Sequence, residues 1–307
     1  MLKIEVGMLI VKRIKKLIAI IKRGTPSFSR YLVSDIDIVS ASVPRGSAVG
    51  NEWDDFRSQI VVEFQQHPMD FLRQPVISRT VHPNQQELAN KYLVELSEGK
   101  FSRENILPRL YDLPIGDPYV CENFPLASTM SMQHAYYISI IRDNLGVFIP
   151  DGKIDHITEL GGGYGNFCRI VYGLGYTGDY SIADFPEMHS IQRHFLSYGC
   201  ETQINNKLIE FKSLSDKEIL PKSSKSLFMA TFSLSEMPLQ SRLEVEEIYQ
   251  HFGYLFFAYN SFFGVEDNEI YFSELKQRLA SNFELHLIKD KHRRAWFLFG
   301  KRLSVDK

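Results

Sequence analysis

Three groups of residues in this chain have the types and spacing that chemistry requires. Glu159-Leu160-Gly161-Gly162-Gly163-Tyr164-Gly165-Asn166 places a carboxylate before a run of glycines, Asp184 follows further on, and Ser233-Leu234-Ser235-Glu236-Met237-Pro238 carries another acid. A glycine turn lets the backbone approach a ligand closely and accepts positive φ. An acid about 20 residues beyond such a turn can accept hydrogen bonds from a ribose. The first two groups therefore describe a cradle for a nucleotide-like cofactor, and the third describes a polar turn able to serve a second reactant.

Those residues need strands that end beside one another. The apolar run Ile154 to Leu160 reads as a strand, and Phe167, Ile170, Val171 and Leu174 give the helix after the turn. In all, seven strands are predicted, near 154–160, 179–184, 207–212, 225–232, 253–260, 283–288 and 294–301, with helices near 164–174, 187–199, 238–251 and 268–281. This alternation calls for a mostly parallel α/β sheet covered on both faces. The last two strands are joined only by Lys289-Asp290-Lys291-His292-Arg293, which suits an antiparallel hairpin and is too short for a helical crossover. Upstream, helices are expected over 53–66, 84–97 and 128–144, with a proline-rich loop through Pro108, Pro114, Pro118 and Pro125. The region before residue 150 thus reads as mainly helical.

Six parallel strands closed by an antiparallel hairpin, with Glu159-x-Gly161-x-Gly163-x-Gly165 after the first and Asp184 after the second, resemble class I S-adenosylmethionine-dependent methyltransferases. The expected fold is Rossmann-like, a seven-stranded mostly parallel sheet with an antiparallel last strand. The resemblance implies S-adenosylmethionine as cofactor, held by Glu159, Gly161, Gly163, Gly165, Asn166, Asp184, Phe185 and Ser233. A nicotinamide dinucleotide oxidoreductase is the alternative within this architecture. Its G-x-G-x-x-G turn needs Gly or Ala at 166 or Gly at 168, where this chain has Asn166 and Cys168. A sulfonium and an ammonium favour nearby carboxylates, and Glu159 meets that need.

The segments Asp184-Phe185-Pro186-Glu187, Ile191 to Leu196 and Ser233 to Pro238 are similar to sugar O-methyltransferases of bacterial surface-polysaccharide clusters, with the similarity running from about Ser128 to the C-terminus. It implies a sugar or glycan acceptor. A sugar hydroxyl is a weak acid, so methyl transfer to it requires a base or a metal. Glu236 is the first candidate base, its bland alternative being a carboxylate in the first turn of the next helix. His134 is the second candidate, against a structural role. Ser233 and Ser235 are read first as helix caps, Asn260 as a partner for sugar hydroxyls or a turn residue, and His292, Arg293 and Arg294 as a solvated charge run from which Arg294 could reach an anionic sugar or phosphate. No carboxylate or histidine pair in sequence marks a metal site, and use of a divalent metal is left open.

Composition limits the remaining classes. An apolar share of 44% and a net charge of −2 over 307 residues suit a globular protein without the basic field that nucleic acid requires. Cys121, Cys168 and Cys200 form no C-x-x-C pair and read as reduced thiols of a cytoplasmic protein. Residues 1–23 hold seven of the Lys and Arg residues against Glu5, with Leu9, Ile10, Ile14, Leu17, Ile18 and Ile21 at helical spacing. This is a basic amphipathic helix, too interrupted to span a bilayer, that would lie on the inner face of the cytoplasmic membrane or dock on its own domain. The expected organisation is that helix, a helical cap and substrate region over 24–150, and a cofactor-binding domain over 151–307. A non-catalytic adaptor of the same fold at the membrane surface is the alternative of a different class.

Overall fold

The computed structural model describes residues 51–213, 219–221, 223–264 and 266–303. The basic helix expected over residues 1–23 lies outside them. The described residues fall in a single compact unit, which contains both the helical cap and the sheet expected from the sequence.

Helices α1 (Asn51–Gln66), α2 (Pro75–Val81), α3 (Gln86–Glu98) and α4 (Lys100–Asn105) come first. Proline at the start of α2 costs nothing, because the first N–H of a helix has no partner within it. The proline-rich stretch is not all loop: Val120–Cys121 (β1) and Phe124–Ser128 (β2) form a small antiparallel hairpin. Ser128 then caps α5 (Thr129–Leu145), its Oγ accepting from the Ser131 N–H at 3.1 Å.

From there strands and helices alternate as the apolar spacing predicts. They are β3 (His156–Leu160), α6 (Asn166–Gly173), β4 (Asp179–Ala183), α7 (Pro186–Ser197), α8 (Glu201–Asn205), β5 (Ile209–Lys212), β6 (Ser226–Thr231), α9 (Leu239–Tyr249) and β7 (Tyr254–Asn260). A short hairpin, β8 (Phe262–Phe263) with β9 (Glu266–Asp267), leads to α10 (Asn268–Leu279), and the chain closes with β10 (Phe283–Lys289) and β11 (Ala295–Arg302).

The main sheet has seven strands in the order β10-β11-β7-β6-β3-β4-β5. β5, β4, β3, β6 and β7 run parallel, and β11 inserts antiparallel between β7 and β10. This is the Rossmann-like fold of class I methyltransferase type, with the antiparallel hairpin where the short charged connection required it. The chain winds outward from β3 in both directions, so the carboxyl ends of β3 and β6 flank a topological switch point, where open α/β sheets bind ligands.

Alternation along the strands gives each face its own cover. Phe228, Phe257 and Leu298 pack with Tyr249 of α9 and with Phe272 and Leu275 of α10. On the opposite face Tyr137 of α5 meets Phe256 and Phe297. Each such fully buried side chain contributes about 1.5–3 kcal/mol, so both faces hold the strand ends firmly in place. None of the described helices is long and apolar enough to cross a membrane.

Candidate active site

The carboxyl ends of the central strands open into a cavity of about 670 Å³, roofed by Arg57 of α1, Val81 of α2 and Gln133 and His134 of α5. Glu159, Gly161, Gly163, Asn166, Asp184, Phe185, Ser233 and Glu236 also line it, so the fold brings together nearly every residue singled out in the sequence. Gly165 does not line the cavity; it starts α6 and its α-carbon faces Leu196.

The glycine turn is tight against protein as well as open to ligand. Gly161 has φ +71°, and a Cβ there would overlap the Ser233 side chain, whose Oγ donates to the Leu160 carbonyl. Gly163, with φ +55°, has more space around it, and its carbonyl accepts from Gln192 Nε2 at 2.9 Å. Gln192 also donates to Asp184 Oδ2 at 2.8 Å and so ties the turn to the acid of the neighbouring strand. The Phe185 N–H donates to Asp184 Oδ1 at 2.8 Å. Burial pushes the Asp184 carboxyl up to about 7 against these hydrogen bonds. Glu159 is 2% exposed and accepts from the Tyr180 hydroxyl at 2.7 Å, and burial pushes it up to about 8. Phe185 carries the Arg57 guanidinium on its ring at 4.0 Å, while Arg57 pairs with Glu187 at 2.8 Å. One wall of the cavity is therefore built from α1 and α7, far apart in sequence.

Asn166 and His134 belong to one buried network. Asn166 Oδ1 accepts from Arg169 Nε at 3.0 Å, which turns its Nδ2 toward Ser131 Oγ at 2.9 Å and His134 Nδ1 at 3.2 Å. Asp112 anchors the network, accepting from Arg169 at 2.7 Å and from the Ser131 hydroxyl. With Nδ1 accepting, neutral His134 carries its proton on Nε2. Burial, then repulsion from Arg169 and His82, lowers its pKa to about 3. The geometry makes His134 a hydrogen-bond donor rather than a base, and it directs the Asn166 side chain to protein partners.

Glu236 ends a single 3₁₀ turn, Ser233–Glu236, after β6. The next helix starts at Leu239 with Pro238 before it, so Glu236 is not a first-turn helix carboxylate. Ser233 and Ser235 are not caps either: their hydroxyls donate to the carbonyls of Leu160 and Phe232. Buried Arg242 grips the turn from beneath, donating to the Met237 carbonyl at 2.7 Å and the Ser235 carbonyl at 2.8 Å. Its position inside α9 gave no sign of this in the sequence. Phe232 enters the turn at φ +73°, a conformation a bulky residue adopts only when its surroundings enforce it.

The terminal hairpin contributes Arg293, and not Arg294, which is exposed. Arg293 donates to Gln133 Oε1 at 3.1 Å and Asn260 Oδ1 at 3.2 Å, and lies 4.3 Å over the Phe232 ring. His292 sits against Glu95 at 3.2 Å and the Tyr92 ring instead. Among the described residues no group of three or more His, Cys, Asp or Glu is arranged to hold a metal ion.

The fold and this site together define a Rossmann-like α/β protein with one cavity at the carboxyl ends of its central strands. No family model matches the chain, and no curated protein matches it. Among solved structures it is similar to the methyltransferase domain of bacterial CtHen1-CN, at 9% identity over 55% of this chain and 97% of that one, with a TM-score of 0.41. It is also similar to an rRNA methylase from Streptococcus thermophilus, at 10% identity, 57% and 96% coverage and a TM-score of 0.40. The pyocyanin biosynthetic protein PhzM gives 9% identity, 69% and 62% coverage and a TM-score of 0.38. Likenesses at this level say nothing about substrate.

Proposed function

We propose that the protein is an S-adenosylmethionine-dependent O-methyltransferase acting on a sugar hydroxyl of a bacterial surface glycan or its precursor, on the cytoplasmic side of the membrane. The observation that carries the reading is one cavity with the glycine turn and Asp184 at one side and the Glu236 turn at the other. The residues fit the cofactor. Asp184 would accept from ribose hydroxyls, Phe185 would offer a ring beside it, and Gly161 and Gly163 keep side chains off the turn. Glu159 supplies negative charge for a cationic ligand once it ionises. When bound, the cofactor supplies a methyl group on a positively charged sulfur, activated toward displacement by oxygen.

The chain's own residues supply position and proton transfer. Glu236 would accept the proton of the acceptor hydroxyl as that oxygen attacks. Arg242 fixes the turn that aims this carboxylate, and a correctly held oxygen contributes much of the rate. His134, with Nε2–H as its donor, would be available to a reactant in the cavity. The amides of Asn260 and Gln133 suit a hydroxylated acceptor, and the resemblance of the Ser233 to Pro238 turn to sugar O-methyltransferases supports the sugar class. Incubation with labelled S-adenosylmethionine and a panel of nucleotide sugars and lipid-linked glycans, with and without EDTA, tests the assignment. Label transferred to a glycan and abolished in Glu236→Ala supports it, and transfer only to RNA or protein would refute it.

A further inference from the structure

On the proposed reading, the cofactor lies above β3 and β4, which leaves the part of the cavity above β6, β7 and β11 for the acceptor. We infer that this part is a subsite for an acidic group, a carboxylate or a phosphate, carried by the acceptor, with Arg293 as its recognition residue.

The cationic side chains lining the cavity are Arg57 and Arg293. Arg57 is matched by Glu187, with both side chains 6% exposed. Arg293 is half-buried and makes no ion pair with a described residue. Its hydrogen bonds go to two neutral amide oxygens, and its face rests on the Phe232 ring. These contacts use two of the five N–H groups and fix the plane of the fork without cancelling its charge.

The amide orientations reinforce the point. Because Asn260 Oδ1 and Gln133 Oε1 both turn toward Arg293, their NH₂ groups turn away from it, that of Gln133 toward Met130 Sδ at 3.8 Å. Asn260 Nδ2 has no partner among the described residues and lies on the cavity. Arg293 and Asn260 together therefore present N–H donors, and the complementary ligand group is one that only accepts. An ionised carboxylate or phosphate meets that condition, and its pairing with a fixed guanidinium is among the stronger hydrogen-bonded interactions available. A hydroxyl alone would leave the positive charge uncompensated in a partly desolvated wall.

The site also explains two features the catalytic reading leaves unused. Phe232 holds its positive φ where its ring forms the platform under Arg293. The hairpin between β10 and β11 delivers Arg293 to the cavity, and its turn is fixed by Asp290, which accepts from the Tyr92 hydroxyl at 2.7 Å and the His292 N–H at 2.9 Å.

The test uses the full chain saturated with S-adenosylhomocysteine and three probes: 4-nitrophenyl β-D-glucuronide, 4-nitrophenyl 6-phospho-β-D-glucoside and neutral 4-nitrophenyl β-D-glucoside. Affinities are read by ligand-observed NMR. At least one charged probe is expected to bind tenfold or more tightly than the neutral one, and the tighter of the two tells carboxylate from phosphate. Arg293→Gln is expected to erase the preference while leaving the S-adenosylhomocysteine Kd within twofold. Asn260→Asp, which sets a carboxylate beside an intact Arg293, is expected to do the same. Equal affinity for all three probes, no binding of any of them, or a preference that survives both substitutions would overturn the inference. Failure of the wild-type chain to bind S-adenosylhomocysteine would instead overturn the cofactor reading on which the inference rests.

Discussion

Raising the pH from 6.5 to 8 is expected to weaken the ligand-free fold, through two carboxylates at the cavity floor, Glu159 in β3 and Asp184 just after β4. Glu159 is pushed up to about 8 and Asp184 to about 7, both by burial. Each binds its proton more tightly in the folded chain than in the unfolded one. Between the unfolded and folded values the folded state therefore carries more protons, and stability falls as pH rises through that window. Buried His82 and His134, lowered to about 4 and about 3, act in the opposite sense: the unfolded chain takes up their protons first, so they cost stability as pH falls below 6.5. Below pH 6.5 the two pairs offset each other, and above it only the carboxylates remain. Integrated from pH 6.5 to 8, the loss is about 2 kcal/mol, which corresponds to a fall in Tm on the order of 5 °C. Scanning fluorimetry across that range, on wild type and on Glu159→Gln with Asp184→Asn, measures it. A wild-type Tm that stays flat or rises, or a double variant that keeps the wild-type slope, would refute the reasoning.

Further consequences can be checked by substitution. Glu236→Gln keeps the shape of the turn but removes the base; kcat is expected to fall about 100-fold or more with the S-adenosylmethionine Kd unchanged, and a loss confined to cofactor affinity would count against the assigned role. Gly161→Ala meets both a positive φ, worth about 1–2 kcal/mol, and the Ser233 side chain. Adding Ser233→Gly should recover the steric part of the lost Tm and leave the backbone part. Asp112→Asn strands the buried Arg169 charge, and urea unfolding is expected to show a loss of about 3–5 kcal/mol; a change near zero would mean that the network does not hold the cap to α6.

The sheet was legible because strand and helix periods in the C-terminal half agree with the turns between them. Predicted strands at 154–160, 179–184 and 253–260 stand at 156–160, 179–183 and 254–260. Asp184 and Glu236 could be placed because the first directly follows one strand and the second closes the short turn after another, and both strand ends must face the switch point. Contacts set by tertiary packing were not legible. The Arg57 and Glu187 pair spans 130 positions, and Gln133 meets Arg293 across 160. Arg293 and Arg294 are neighbours in one charge run, and only the curl of the hairpin decides which of them enters the cavity. The β1–β2 hairpin was hidden because prolines argued for loop, whereas Pro125 lies in β2 of a two-stranded ribbon, where a missing donor is tolerated. His134 read as a base because the sequence gives no sight of Asn166 donating to its Nδ1.

Glu159 to Asn166 and Asp184 are proposed to form a site for a sulfonium cofactor. Calorimetric titration of the purified chain with S-adenosylmethionine and S-adenosylhomocysteine, in parallel with NADH and NADPH, tests it most directly. Saturable binding of the first two with one site per chain, lost in Asp184→Ala, is the predicted result. Binding of a nicotinamide cofactor with no heat from either sulfur compound would contradict it.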